Sequence, residues 1–288
     1  MISNFAKERI ITILNQIEAD EAVCILYACE SGSRAWGFES KNSDFDVRFI
    51  YLRPPSWYLS IQKKRDVIEV PIDNDLDVSG WDLSKALDLF RKSNPPLLEW
   101  LQSPIIYREK GSVVGKLRDL MRDYYAPVSC MHHYLHMAQG NYREYLHGDV
   151  VWIKKYFYVL RPVLACMWIE QGLGVVPMKF EMLVDRLITD TSLRKAINRL
   201  LILKRDGQEL DKGKRIDELS EFIDQQISRL SIGDQRPSHT KDPKTLDALF
   251  IEILIETYGN NIEHFIGGDA NNLRSSQETS HAHPSISR

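Results

Sequence analysis

The chain has few cysteines: four in 288 residues, none in a C-x-x-C pair. That is too little for a disulfide framework or a zinc ribbon. Cys24, Cys29, Cys130 and Cys166 all stand among apolar neighbours, which predicts buried free thiols and a reducing cytoplasm. Long uninterrupted apolar runs are also missing. The longest, Val150 to Ile169, is broken by Lys154, Lys155 and Arg161, so no membrane span is expected. Met1 to Asp20 mixes charges with apolar residues and has no signal-peptide core. An excess of either charge is absent: the formal net charge is -3 and the pI near 6.3. This excludes a protein that coats nucleic acid by bulk charge and leaves room for a local basic groove. There are no internal repeats. What the chain does have is 43% hydrophobic residues, enough for a sizeable core in one large or two ordinary domains.

Two kinds of periodicity divide the chain. Phe5 to Ile17 repeats apolar residues at helical spacing. Ala22 to Cys29 and Phe45 to Leu52 read as strands, as do Val67 to Ile72 and Leu76 to Trp81 around an Asp73-Asn74-Asp75 turn. Arg34 to Phe38 and Trp57 to Ile61 are candidate helical turns, and Ile105 to Tyr107 a closing edge strand. Asp82 predicts the cap of a helix to about Lys92, and Asn94 with Pro95 that of a helix to Leu101. Beyond Lys110 the pattern is almost wholly helical: 113–124, 128–146, 150–171 (kinked at Pro162), 179–188, 192–205, 215–232 and 244–258. The expected organisation is an α/β (α+β) domain with a mixed sheet over 1–110 and an all-α domain over 111–266. A disordered tail over 267–288, poor in apolar residues, completes it.

The chemistry concentrates in E-S-G-S-R-A-W-G-F-E-S-K-N-S-D-F-D-V-R-F-I-Y-L, residues 30–52. Asp44 and Asp46 lie two apart on a strand, so their side chains share a face. Two carboxylates about 4 Å apart repel by on the order of 4 kcal/mol at an effective dielectric near 20. A shared proton or a bound cation must offset that, and hard oxygen ligands favour Mg2+ or Mn2+. A third carboxylate is expected from a neighbouring strand: Asp77 first, then Asp75 or Glu69. Three such groups can hold two metals roughly 3.5–4 Å apart. Gly32-Ser33 offers a backbone that approaches a phosphate closely, and Arg34 adds charge.

This order of strand, Gly-Ser, short helix, D-x-D strand and later acid-bearing strand resembles the nucleotidyltransferase superfamily that includes DNA polymerase beta. More narrowly, the stretch from Gly32 to Tyr51, with L-D-V-S-G-W-D-L-S-K-A-L and K-S-N-P-P-L-L-E-W-L, resembles a bacterial and phage nucleotidyltransferase family, some members of which are RNA-ligase-associated. H-H-Y-L-H-M-A-Q-G-N-Y and K-K-Y-F-Y-V-L-R-P extend the likeness into the helical half. The resemblance implies transfer of a nucleoside monophosphate from an NTP to a hydroxyl, with Mg2+ or Mn2+. Gly32 and Ser33 then serve the phosphates, and Asp44, Asp46 and Asp77 the metals. The acceptor stays open between an RNA 3′ end (or tRNA) and a protein side chain. A noncatalytic nucleotide-binding module is the third reading.

In the helical half, Lys154, Tyr158 and Arg161 fall at i, i+4 and i+7. They are candidates to meet the triphosphate and stack on the base, with Lys155 the alternative to Lys154. His132, His133 and His136 lack the glutamate of an H-E-x-x-H motif and are expected to be surface or core histidines. Lys63-Lys64-Arg65, Lys204-Arg205 and Lys212-Lys214-Arg215 read as solvated surface unless folding brings them to one rim, and Trp36 as packing.

Overall fold

The computed structural model describes residues 2–73, 75–206, 211–231 and 241–259. The expected disordered tail lies outside them. Helix α1 (Asn4–Glu21) is capped by the Ser3 hydroxyl, which accepts the Ala6 amide, and buries Ile10, Leu14 and Ile17. There follow β1 (Cys24–Glu30), α2 (Gly32–Trp36), β2 (Phe45–Leu52), α3 (Pro55–Tyr58), β3 (Val67–Glu69) and β4 (Leu76–Asp82). Asp82 caps α4 (Leu83–Arg91) through the Ser84 amide, and Asn94 caps α5 (Pro95–Trp100) through the Leu97 amide. Both caps are the ones the sequence nominates. Strand β5 (Ile106–Glu109) completes a five-stranded mixed sheet of order β3-β4-β2-β1-β5, in which only β2 and β4 run parallel. β3 stops at Glu69 rather than Ile72, because Pro71 has no amide to extend the ladder.

Period-two alternation assigns the two faces of the sheet. Val47, Phe49 and Tyr51 of β2 and Leu76 and Val78 of β4 pack on the α1 side. Ile50 and Leu52 join a second, larger core. By the same alternation Asp46, Arg48 and Asp77 stand on the side of that larger core, toward the helices.

The helical half contains α6 (Val113–Tyr124), α7 (Pro127–Tyr145), β6 (Val150–Trp152), α8 (Lys155–Glu170), α9 (Phe180–Leu187) and α10 (Thr191–Arg205). It ends with β7 (Lys212–Lys214), α11 (Asp217–Leu230) and α12 (Lys244–Tyr258). The helix expected from Val150 begins only at Lys155. Val150–Trp152 instead pairs antiparallel with Lys212–Lys214. β-Branched and aromatic residues with one buried side chain, Val151, between two exposed ones suit a strand better than a helix. Pro162 lies inside α8, which continues past it. Composition changes near residue 110, but packing is continuous across it: Leu26, Tyr27 and Ile50 share one buried cluster with Val113, Leu117, Val159 and Leu164. All four cysteines are free and buried. Among the described residues, no helix is long and apolar enough to cross a membrane.

Candidate active site

The parallel register of β2 and β4 sets Asp46 beside Asp77. Between them lies Arg48. Its Nη2 is 2.7 Å from Asp77 Oδ2 and 3.6 Å from Asp46 Oδ1, while Nη1 donates to the carbonyls of Asp77 (3.1 Å) and Val47 (3.0 Å). Burial pushes the Asp46 carboxyl up, and Asp77 and Asp44 push it further, against the charges of Arg48 and Lys154. Asp44 precedes β2 and is exposed, and its carboxylate has no protein hydrogen bond among the described residues. The weaker acids are committed elsewhere: Asp75 to Arg9 at 2.7 Å and Glu69 to Arg65.

Gly32 sits against Asp46. A Cβ there would fall 2.0 Å from Asp46 Oδ2, and φ is +60°, so both space and backbone demand glycine. The end of β1 clamps the Asp46 backbone: the Ser31 amide donates to its carbonyl (2.8 Å), and its own amide donates to Glu30 Oε1 (2.8 Å). Glu30 is sealed from solvent and also accepts the Tyr107 hydroxyl; burial raises its carboxyl to about 7. Ser33 lies in the first turn of α2, partly exposed. Arg34 stacks 4.0 Å over the Phe45 ring and donates to the carbonyls of Ser43 and Asp44 (the latter at 3.1 Å). It therefore holds the loop that delivers the acids.

From the helical side, Lys154 is exposed just before α8, and its charge acts on Asp46. Lys155 instead lies over the rings of Tyr145 (4.1 Å) and Tyr158 (4.9 Å). Tyr158 is half-buried, meets Trp36 edge to face at 5.7 Å, and is shifted up by burial and by Asp46 and Asp44. Arg161 departs from the expected set. It is 2% exposed, its Nη1 lies 2.6 Å from Glu99 Oε1, and its Nη2 reaches the Met178 carbonyl at 3.3 Å. Seven residues advance a helix by about 10 Å, which carries Arg161 from the exposed start of α8 into the core, under the Trp36 ring at 4.7 Å. It braces α2 from behind and does not reach the acids.

Lys204 is the residue that sequence reasoning assigned to the surface. It is 8% exposed, with Nζ 3.4 Å from Ser43 Oγ. Burial and the charge of Lys154 hold its pKa down, Asp44 acting the other way. Its signal was periodicity: with Leu193, Ile197 and Leu200 it falls on the buried stripe of α10. Arg205 donates to the Gly37 carbonyl at 3.0 Å, beside a cavity of about 320 Å3 bounded by Trp36, Phe38, Phe180 and Asn198. Of the other basic clusters, Lys64 packs over Trp57, Arg215 pairs with Asp217 and Asp224, and Lys212 lies over the Trp152 ring at 5.1 Å. His132, His133 and His136 line an open surface of α7 with Met137. Among the described residues, no three His, Cys, Asp or Glu side chains converge as a metal cage.

A model described as the RNA repair pathway DNA polymerase beta family matches residues 6–252. The uncharacterized protein YcgL of Bacillus subtilis (strain 168) is 51% identical over 224 residues, covering 78% of this chain and 86% of that protein. A crystal structure of a nucleotidyltransferase-like protein from Exiguobacterium sibiricum aligns over 85% of this chain and 89% of its own at 12% identity, with a TM-score of 0.27. On the family match over residues 6–252, the chain belongs to the RNA repair pathway DNA polymerase beta family.

Proposed function

We propose that this chain transfers a nucleoside monophosphate from an NTP to a hydroxyl acceptor, an RNA 3′ end, and releases pyrophosphate. The observation that carries the reading is Gly32 packed without a side chain against the Asp46 carboxylate, with Lys154 and Lys204 acting on Asp46 and Asp44 from the helical side. The family's place in RNA repair supports the choice of acceptor.

Asp44 and Asp46 suit a Mg2+ or Mn2+ ion. Among the described residues the first has a carboxylate free of protein hydrogen bonds, and the second is part-buried beside acidic neighbours. Such an ion would screen the charge on the phosphate oxygens. The chain's own residues do the rest. Gly32 and Ser33 admit the triphosphate close to the backbone. Lys154 and Lys204 offset its charge, and Tyr158 presents an aromatic edge for the base. The acceptor oxygen attacks the α-phosphorus, the bond to the oxygen bridging to the β-phosphate breaks, and pyrophosphate leaves. The hydroxyl proton passes to Asp77 Oδ1, the oxygen not bonded to Arg48.

The test is incubation with each α-32P-labelled NTP, Mg2+ or Mn2+, and total RNA plus cell lysate, with Asp44→Asn/Asp46→Asn as control. Label on RNA, absent in the control, is expected. Label on a protein band would replace the RNA acceptor with a protein one. No label on either acceptor would remove the transferase reading.

A further inference from the structure

The three carboxylates that would build a two-metal centre are not all free, and what occupies one of them is part of the protein. Arg48 reaches from β2 across the seam to β4. There it bonds Asp77 twice, once through the carboxylate and once through the carbonyl, and bonds the Val47 carbonyl as well. The same Nη2 lies 3.6 Å from Asp46 Oδ1. A guanidinium stays charged at any working pH and has donors only, so this contact acts as a fixed positive charge. The side chain is only 19% exposed, and two of its three close bonds go to strand carbonyls. Swinging away would give up both carbonyl bonds as well as the one to the Asp77 carboxylate.

We propose that Arg48 is a resident cation of this centre: its guanidinium fills the place between Asp46 and Asp77, so the chain binds one divalent ion, at Asp44 and Asp46, and not two. This deepens the reading above and rests on it. A second ion placed between Asp46 and Asp77 would meet Arg48 at bonding distance. Asp77 is then a positioning residue for Arg48 and a proton acceptor, and the metal site is carried by the D-x-D pair alone. The strand period accounts for part of this: Asp46 and Arg48 are two apart on β2 and share a face, while Asp44 stands just before the strand begins.

The test counts Mn2+ on the full chain by loss of the free-ion EPR signal, with circular dichroism to confirm the fold of each variant. The wild type should bind one Mn2+, Arg48→Lys one, and Arg48→Met two. Asp77→Asn should bind one with affinity within threefold of wild type, and Asp46→Asn should lose tenfold or more. Two Mn2+ on the wild type, or a tenfold loss in Asp77→Asn, would overturn the proposal and leave nucleotidyl transfer standing. No Mn2+ on the wild type would overturn both the proposal and the metal assignment. Should Arg48→Met fail to fold, Asp77→Asn decides alone.

Discussion

Arg161 and Arg48 each hold a carboxylate at almost the same distance, 2.6 Å to Glu99 and 2.7 Å to Asp77, and they serve different ends. The Arg161 and Glu99 side chains are 3% and 9% exposed, whereas those of Arg48 and Asp77 are 19% and 37%. Glu99 also accepts the Tyr134 hydroxyl (2.6 Å) and the Trp36 indole (3.3 Å), so the sealed pair ties α5, α7 and α8 to the end of α2. Nothing soluble reaches it. The open pair stands at the edge of water, beside the exposed Asp44, where an ion or a phosphate can arrive. Burial, not pairing, separates scaffold from site.

The largest effect belongs to the sealed pair. Arg161→Met takes the ion-pair partner of Glu99 out of the core, a change that costs about 3–5 kcal/mol. Chemical denaturation should show that loss, partly recovered in Arg161→Met/Glu99→Gln. An Arg161→Met protein as stable as wild type would dissolve the contrast. Asp46→Asn should do the reverse: fold retained, and transfer down by on the order of 10²–10³ or more, the size of losing one group that stabilises charge in the transition state. Labelled-NTP turnover measures it, and full activity in a folded Asp46→Asn protein would remove Asp46 from the site.

Between these extremes lies Glu30, buried like Glu99 but with no arginine. Its folded pKa, about 7, stands above the ordinary 4.5, so the fold favours the neutral acid. Its contribution to stability is whole below pH 4.5 and is lost as pH rises through about 7. The loss amounts to at most about 3 kcal/mol. Urea unfolding at pH 5 and pH 8 should show wild type losing most of that relative to Glu30→Gln, which cannot titrate. Equal pH dependence in the two proteins would mean that Glu30 titrates normally.

Much of this was legible in the chain. Local signals held where short-range physics decides: the caps at Asp82 and Asn94 and the glycine against Asp46, whereas Asp44, expected on the strand with Asp46, stands just before it. Arg48 drew no reading from the sequence, although it stands two residues past Asp46 and so on the same face. Long-range outcomes were not legible. Arg161 sits on a helix buried on nearly every side, with Tyr156, Phe157, Val159, Leu160 and the run from Val163 to Cys166 all covered, so spacing from Lys154 could not identify a solvent face. Lys204 meets Ser43 across 161 positions of sequence, and β6 pairs with β7 across a similar absence of local cues.

Lys204 offers the finest test, because its two effects have opposite signs. It is nearly buried, and Lys154 and Arg34 both oppose its charge, so the free protein gains little from it. A triphosphate would supply the anion that this cationic pair lacks. Lys204→Met keeps the length and apolar stem of the side chain while removing the charge. The fold should be as stable as wild type or more so, by up to about 1 kcal/mol. NTP affinity should fall about tenfold, the loss of about 1.4 kcal/mol of binding. Thermal unfolding without nucleotide and equilibrium binding of a non-hydrolysable NTP analogue separate the two. Lower stability with unchanged affinity would return Lys204 to the scaffold, alongside Arg161.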